Sequence, residues 1–99
     1  MAAPKADAKT KVLIVEDEVA IVTLLRYNLE KAGYAVISTG DGEEAVNLVK
    51  EHRPDIIVLD WMLPGMTGVE VCKHIRWNQD LKNTPIIMLS ARGEEGDRI

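Results

Sequence analysis

Apolar positions along the chain follow two alternating rhythms. Lys11-Val12-Leu13-Ile14-Val15 and Ile56-Ile57-Val58-Leu59 are unbroken runs of strand-forming residues, the pattern of strands buried on both faces in a helix-covered parallel sheet. Between them Ile21, Leu24, Leu25 and Leu29 recur at helical spacing over residues 18–32, and Gly33 stands where a helix C-terminus favours glycine. Residues 34–38 read as a short second strand. Asp41, with Glu44 three residues on, resembles a capping box and opens a second helix that fades near His52, ahead of Arg53-Pro54. Thr67-Gly68-Val69-Glu70 repeats the device for a third helix, which turns Val71, Cys72 and Ile75 toward a core. Residues 78–84 read as a polar loop. Pro85 then opens a fourth strand, Ile86 to Leu89, because a strand's first residue tolerates a missing N–H.

Strands alternating with helices through short connections predict an α/β fold, a doubly wound parallel sheet whose ligands bind beyond the carboxyl ends of the strands. Two of those ends are acidic: Glu16-Asp17 follows the first strand and Asp60 the third. Adjacent strands lie ~4.8 Å apart, so ionised groups leaving them repel unless a cation joins them or a pKa rises.

Composition narrows the field. Ninety-nine residues hold one domain, and with no Phe its core is aliphatic. A net charge of −4 without a basic cluster leaves no footprint for a phosphate backbone, so DNA contact would belong to another module. The lone Cys72 excludes an intrachain disulfide, and with only His52 and His74 there is no thiolate and imidazole metal framework. Cys72 reads as a buried helix residue, and Trp77 as a packing or cover residue at a helix end. The apolar runs are too short to span a bilayer, residues 1–10 read as a disordered tail without a secretion signal, and a cytoplasmic location is expected.

Carboxylates gathered with a backbone carbonyl suit Mg²⁺, which takes one or two carboxylates, keeps waters and often accompanies phosphate. Asp60 is the candidate nucleophile for aspartyl-phosphate chemistry, since it precedes Trp61-Met62-Leu63-Pro64-Gly65, a turn that can aim a carbonyl back at a metal. Taken alone, Asp17 reads equally well as an N-cap and Asp60 as a turn aspartate.

Over residues 11–99 the chain resembles the receiver domain of bacterial two-component response regulators. The resemblance is carried by Val12-Leu13-Ile14-Val15-Glu16-Asp17-Glu18, by Ile57-Val58-Leu59-Asp60-Trp61-Met62-Leu63-Pro64-Gly65, and by Ile86-Ile87-Met88-Leu89-Ser90-Ala91. The wording around Asp60, with Ala91-Arg92-Gly93-Glu94-Glu95, is most like receivers joined to winged-helix DNA-binding domains, phosphate-regulon regulators among them. It implies a flavodoxin-like sheet of order 2-1-3-4 and a signalling module, not an enzyme beyond its own phosphorylation and dephosphorylation. Asp60 would accept a phosphoryl group from a sensor histidine kinase. Asp17, Asp60 and the Met62 backbone carbonyl would ligate Mg²⁺, with Glu16 acting through water. Ser90 would turn its hydroxyl, and Ala91 its N–H, toward the phosphoryl oxygens.

The family's fifth-strand lysine has no counterpart here, since Lys73 and Lys82 fall on the third helix and its following loop. The chain therefore reads as a receiver lacking its final strand and helix. Its fourth strand would then be an apolar edge open to self-association or strand swapping. Three alternatives stay open. A haloacid-dehalogenase-type phosphatase would want a second Asp where Met62 stands. A flavin module would want a hydroxyl- and glycine-rich loop where Glu16-Asp17-Glu18 repels anions. The third is a non-functional receiver fragment.

Overall fold

The computed structural model describes residues 9–89. The assignments to residues 1–8, and to Ser90 and Ala91, lie outside that range. Four parallel strands, β1 (Lys11–Val15), β2 (Ala35–Thr39), β3 (Ile56–Asp60) and β4 (Ile86–Leu89), form one sheet in the order β2-β1-β3-β4. Helices α1 (Val19–Lys31), α2 (Gly42–His52) and α3 (Gly68–Trp77) connect them. This is the doubly wound sheet that the alternating pattern predicted, in the flavodoxin-like order that the family resemblance implied.

Register explains the core. Leu13 lies beside Ile37 and Ile57, and Val15 beside Thr39 and Leu59, so these side chains form layers on one face of the sheet. There they pack with Ala45 and Val49 of α2 and with Val71 and Ile75 of α3. Fully burying a Leu or Ile side chain contributes about 1.5–3 kcal/mol, and Leu13, Ile57, Leu59 and Ile75 are all at or below 1% exposure. Val12 and Ile14 point the other way and are buried as well. On that face Arg26 of α1 donates to the Val36 carbonyl at 3.1 Å and to Ser38 Oγ at 2.8 Å, tying α1 to β2. α1 itself buries no residue, and its Val19, Leu24 and Tyr27 are exposed. β4 is likewise partly open, with Ile87 and Met88 exposed.

The helix boundaries follow from local chemistry. α1 closes with Gly33 at φ 101°, its N–H reaching the Glu30 carbonyl while the Tyr34 N–H reaches Leu29, the Schellman arrangement. That closure consumes Tyr34, so β2 runs from Ala35 to Thr39, one residue later than the apolar pattern indicated. α3 carries the full capping box: Thr67 Oγ1 accepts from the Glu70 N–H at 3.2 Å, and Glu70 accepts from the Thr67 N–H at 3.1 Å. α2 carries half of one. Asp41 accepts from the Glu44 N–H at 3.0 Å, but the Glu44 carboxylate accepts from Thr39 Oγ1, which in turn accepts from the Asp41 N–H at 3.1 Å. Arg53 ends α2 at φ 47°, consistent with the following Pro54, whose ring disfavours the right-handed helical region.

Two expectations are corrected. The stretch after α3 is not merely a polar loop: residues Gln79–Leu81 form a short 3₁₀ turn that drives Leu81 into the core at 3% exposure. Arg76 holds it in place by donating to the carbonyls of Lys82 and Thr84, both at 2.8 Å. Trp77 is not a packing or cover residue among the described residues: it is 88% exposed at the end of α3, and the chain leaves the helix at Asn78 in an extended conformation.

Candidate metal centre

Parallel register brings the acidic strand ends together. Val15 pairs with Leu59, so the residues that follow, Glu16 and Asp60, leave adjacent strands at the same level. Glu16, Asp17 and Asp60 each offer a carboxylate oxygen, and these oxygens lie within 4.8 Å of one another. Glu16 and Asp60 are buried, at 4% and 3% exposure, whereas Asp17 is open to solvent. The N-cap of α1 is Glu18, which makes no side-chain cap bond; Asp17 does not hold that position.

Glu16 shows the electrostatic tension most clearly. Its Oε2 accepts from the Glu18 N–H at 3.0 Å, while its buried Oε1 has no hydrogen-bond partner among the described residues. Burial pushes its carboxyl above the usual value near 4.5; the Glu18 N–H pulls it back, and the charges of Asp60, Asp17 and Glu18 add to the rise. A buried acceptor oxygen left without a donor costs about 1–3 kcal/mol, and a divalent cation between the three carboxylates would satisfy it. Donor type and spacing therefore fit a hard, oxygen-seeking ion such as Mg²⁺.

The surroundings fix these groups. The Glu16 N–H donates to the Thr39 carbonyl at 2.9 Å, and Thr39 carries the hydrogen-bond chain to Glu44 and Asp41, so the start of α2 is anchored to the β1 terminus. Thr39 escaped the reading from sequence because the second strand was drawn one residue short; a hydroxyl two places before Asp41 was the available signal. Beyond Asp60, the Trp61 N–H donates to the Leu89 carbonyl at 3.2 Å, and the Trp61 carbonyl accepts from the Gly68 N–H at 2.8 Å, closing the loop onto the start of α3. Within that loop Trp61 and Met62 are about half exposed and Gly65 takes φ 80°. Lys73 lies on α3 and Lys82 follows the 3₁₀ turn. Cys72 is partly buried against the core. Among the described residues no helix is long and apolar enough to cross a membrane.

The parallel β2-β1-β3-β4 sheet, with buried acids at the ends of its two central strands, defines a doubly wound α/β domain with an acidic site at its carboxyl edge. The family model described as the response regulator receiver domain matches residues 12–99, and the chain belongs to that family. It is 48% identical over 89 residues to the phosphate regulon transcriptional regulatory protein PhoB of Rhizobium meliloti, covering 90% of this chain and 39% of that protein. It is 53% identical over 89 residues to the alkaline phosphatase synthesis transcriptional regulatory protein PhoP of Bacillus subtilis, covering 90% of this chain and 36% of that protein. The chain thus spans less than half the length of these curated relatives. Among solved structures it resembles the receiver domain of a sensor histidine kinase from Pseudomonas aeruginosa, with a TM-score of 0.84, 34% identity, and coverage of 92% of this chain and 75% of that one. That structure has a magnesium ion coordinated in its active site cleft.

Proposed function

We propose that this receiver domain takes a phosphoryl group on Asp60 from a phosphohistidine of a sensor kinase, in a Mg²⁺-dependent reaction, and passes the signal to an attached DNA-binding output. The observation that carries the reading is the meeting of Glu16, Asp17 and Asp60 within 4.8 Å at the carboxyl ends of β1 and β3. The relatives described as transcriptional regulators support the output, and a cytoplasmic location follows from a kinase partner and DNA.

Asp17, Asp60 and the Met62 backbone carbonyl would hold the ion directly, with Glu16 acting through water. When bound, Mg²⁺ supplies neutralisation of the phosphoryl oxygens, which otherwise repel an anionic nucleophile. An Asp60 oxygen attacks phosphorus; the new P–O bond forms as the P–N bond to the kinase imidazole breaks, and the imidazole keeps the electron pair and takes up a proton from solvent. Hydrolysis reverses the modification: a water oxygen attacks phosphorus, the acyl phosphate P–O bond breaks, and the Asp60 carboxylate and inorganic phosphate are released. The burial of Asp60 limits water at the nucleophile and strengthens every charge interaction there. Ser90 and the Ala91 N–H, directly after β4, would answer the new charge, shifting a two-state equilibrium.

Incubation with Mg²⁺ and acetyl phosphate tests the reading. Intact mass spectrometry is expected to show one added phosphate, absent in Asp60→Asn and in excess EDTA. An adduct that persists in Asp60→Asn would refute the assignment.

A further inference from the structure

Two glycines lie against the backbone of the acidic site, and neither is needed for its torsional freedom, since Gly40 and Gly68 both avoid the left-handed region. What each lacks is a side chain. A Cβ at Gly68, the first residue of α3, would collide with the Asp60 carbonyl oxygen and stand 3.1 Å from Trp61 Cα and 3.2 Å from the Asp60 carbonyl carbon. A Cβ at Gly40, in the turn between β2 and α2, would stand 3.1 Å from Asp17 Cα, 3.3 Å from Asp17 Cβ and 3.5 Å from the Glu16 carbonyl oxygen. Nearly all these atoms are main chain, which no rotamer change can move aside.

Local preference runs the other way at these positions. At a torsion open to any residue, Ala is the better helix former and restricts the unfolded chain more, so a glycine there needs a reason outside its own backbone. Gly42 supplies the contrast. Its Cβ would also clash, at 2.8 Å from Met66 Cβ, 3.1 Å from Val71 Cγ2 and 3.3 Å from the Met66 carbonyl oxygen, but none of these atoms belongs to Glu16, Asp17, Asp60 or Trp61.

We propose that Gly68 and Gly40 are positioning residues of the acidic centre. The missing Cβ of Gly68 lets α3 seat directly on the Asp60–Trp61 peptide, and that of Gly40 lets the β2–α2 turn close on Asp17, so the two carboxylates reach one ion. Gly68 also sets the loop that carries Met62, because its N–H is the donor to the Trp61 carbonyl at 2.8 Å. The inference rests on the metal role proposed above and adds the residues that fix its geometry.

The test is Mg²⁺ titration of the full 99-residue chain, followed by Trp fluorescence, for wild type, Gly68→Ala, Gly40→Ala and Gly42→Ala, with melting temperatures measured in EDTA. Residues that orient metal ligands typically control affinity by 10–100-fold, so Gly68→Ala should weaken the Mg²⁺ dissociation constant about 10-fold or more and Gly40→Ala about 3-fold. Gly42→Ala should lower the melting temperature while leaving the dissociation constant within about 2-fold of wild type, as expected for a change that meets Met66 and Val71 and none of the acidic residues. Should Gly68→Ala fail to fold, Gly40→Ala against Gly42→Ala decides. Wild-type affinity in Gly68→Ala and Gly40→Ala overturns the inference, as does an affinity loss that merely tracks melting temperature across all three variants. A wild-type chain that binds no Mg²⁺ overturns the metal reading as well, which separates the two failures.

Discussion

Asp60→Asn preserves the outline of a buried side chain and removes one of three crowded negative charges. Asp60 and Glu16 are almost fully buried, with ligand oxygens no more than 4.8 Å apart. Two unit charges at that distance repel by about 0.9 kcal/mol in the dielectric of water and about 3.5 kcal/mol at the effective value of about 20 that suits protein sites. A net gain between these two limits, about 1–2 kcal/mol, is expected for the variant at neutral pH. For a domain of this size about 1 kcal/mol shifts melting by about 4–8 °C. Thermal melts by circular dichroism in EDTA should therefore place Asp60→Asn at least about 4 °C above wild type. Mg²⁺ should reverse the order: binding at 100 times the dissociation constant stabilises wild type by about 2.7 kcal/mol, and the variant should lose most of that gain. An Asp60→Asn protein that melts below wild type in EDTA, or that gains as much from Mg²⁺, would refute the reasoning.

Two further outcomes follow from the same geometry. The raised Glu16 carboxyl means the folded state binds more protons than the unfolded one just above pH 4.5, so its contribution to metal-free stability is fully present below that pH and is lost as pH rises through the folded value. Urea titrations in EDTA should show the difference between wild type and Glu16→Gln shrinking or turning against wild type across that window; a pH-independent difference would contradict it. Leu81→Ala should cost about 2–5 kcal/mol in the same titration, while Trp77→Ala should stay within about 0.5 kcal/mol, and equal effects would contradict the burial of one and the exposure of the other.

What the sequence made legible, and what it hid, divides along physical lines. Doubly buried strands such as β1 write themselves as unbroken apolar runs, and the capping box at Thr67 and Glu70 is a short-range signal, so both could be read directly. The meeting of Glu16 and Asp60 needed only the rule that parallel strands open on one side. Leu81 was hidden because a single apolar residue in a polar stretch has no period, and its burial depends on Arg76 gathering the carbonyls of Lys82 and Thr84. The start of β2 was obscured by the Schellman closure, which takes Tyr34 out of an otherwise strand-like run. Trp77 misled because large aromatic residues are usually covered, and which side of α3 the next segment takes is a tertiary fact.

The shared-ion site is tested most directly by substoichiometric Mn²⁺ added to isotopically labelled protein, with paramagnetic broadening of backbone amides read by NMR. Amides of Glu16, Asp17, Asp60 and Trp61 should broaden together at the lowest additions, and Asp17→Asn should weaken the effect at Asp60 as well as at its own position. Broadening at one strand end without the other, or first at surface acids such as Glu43 and Glu51, would contradict it.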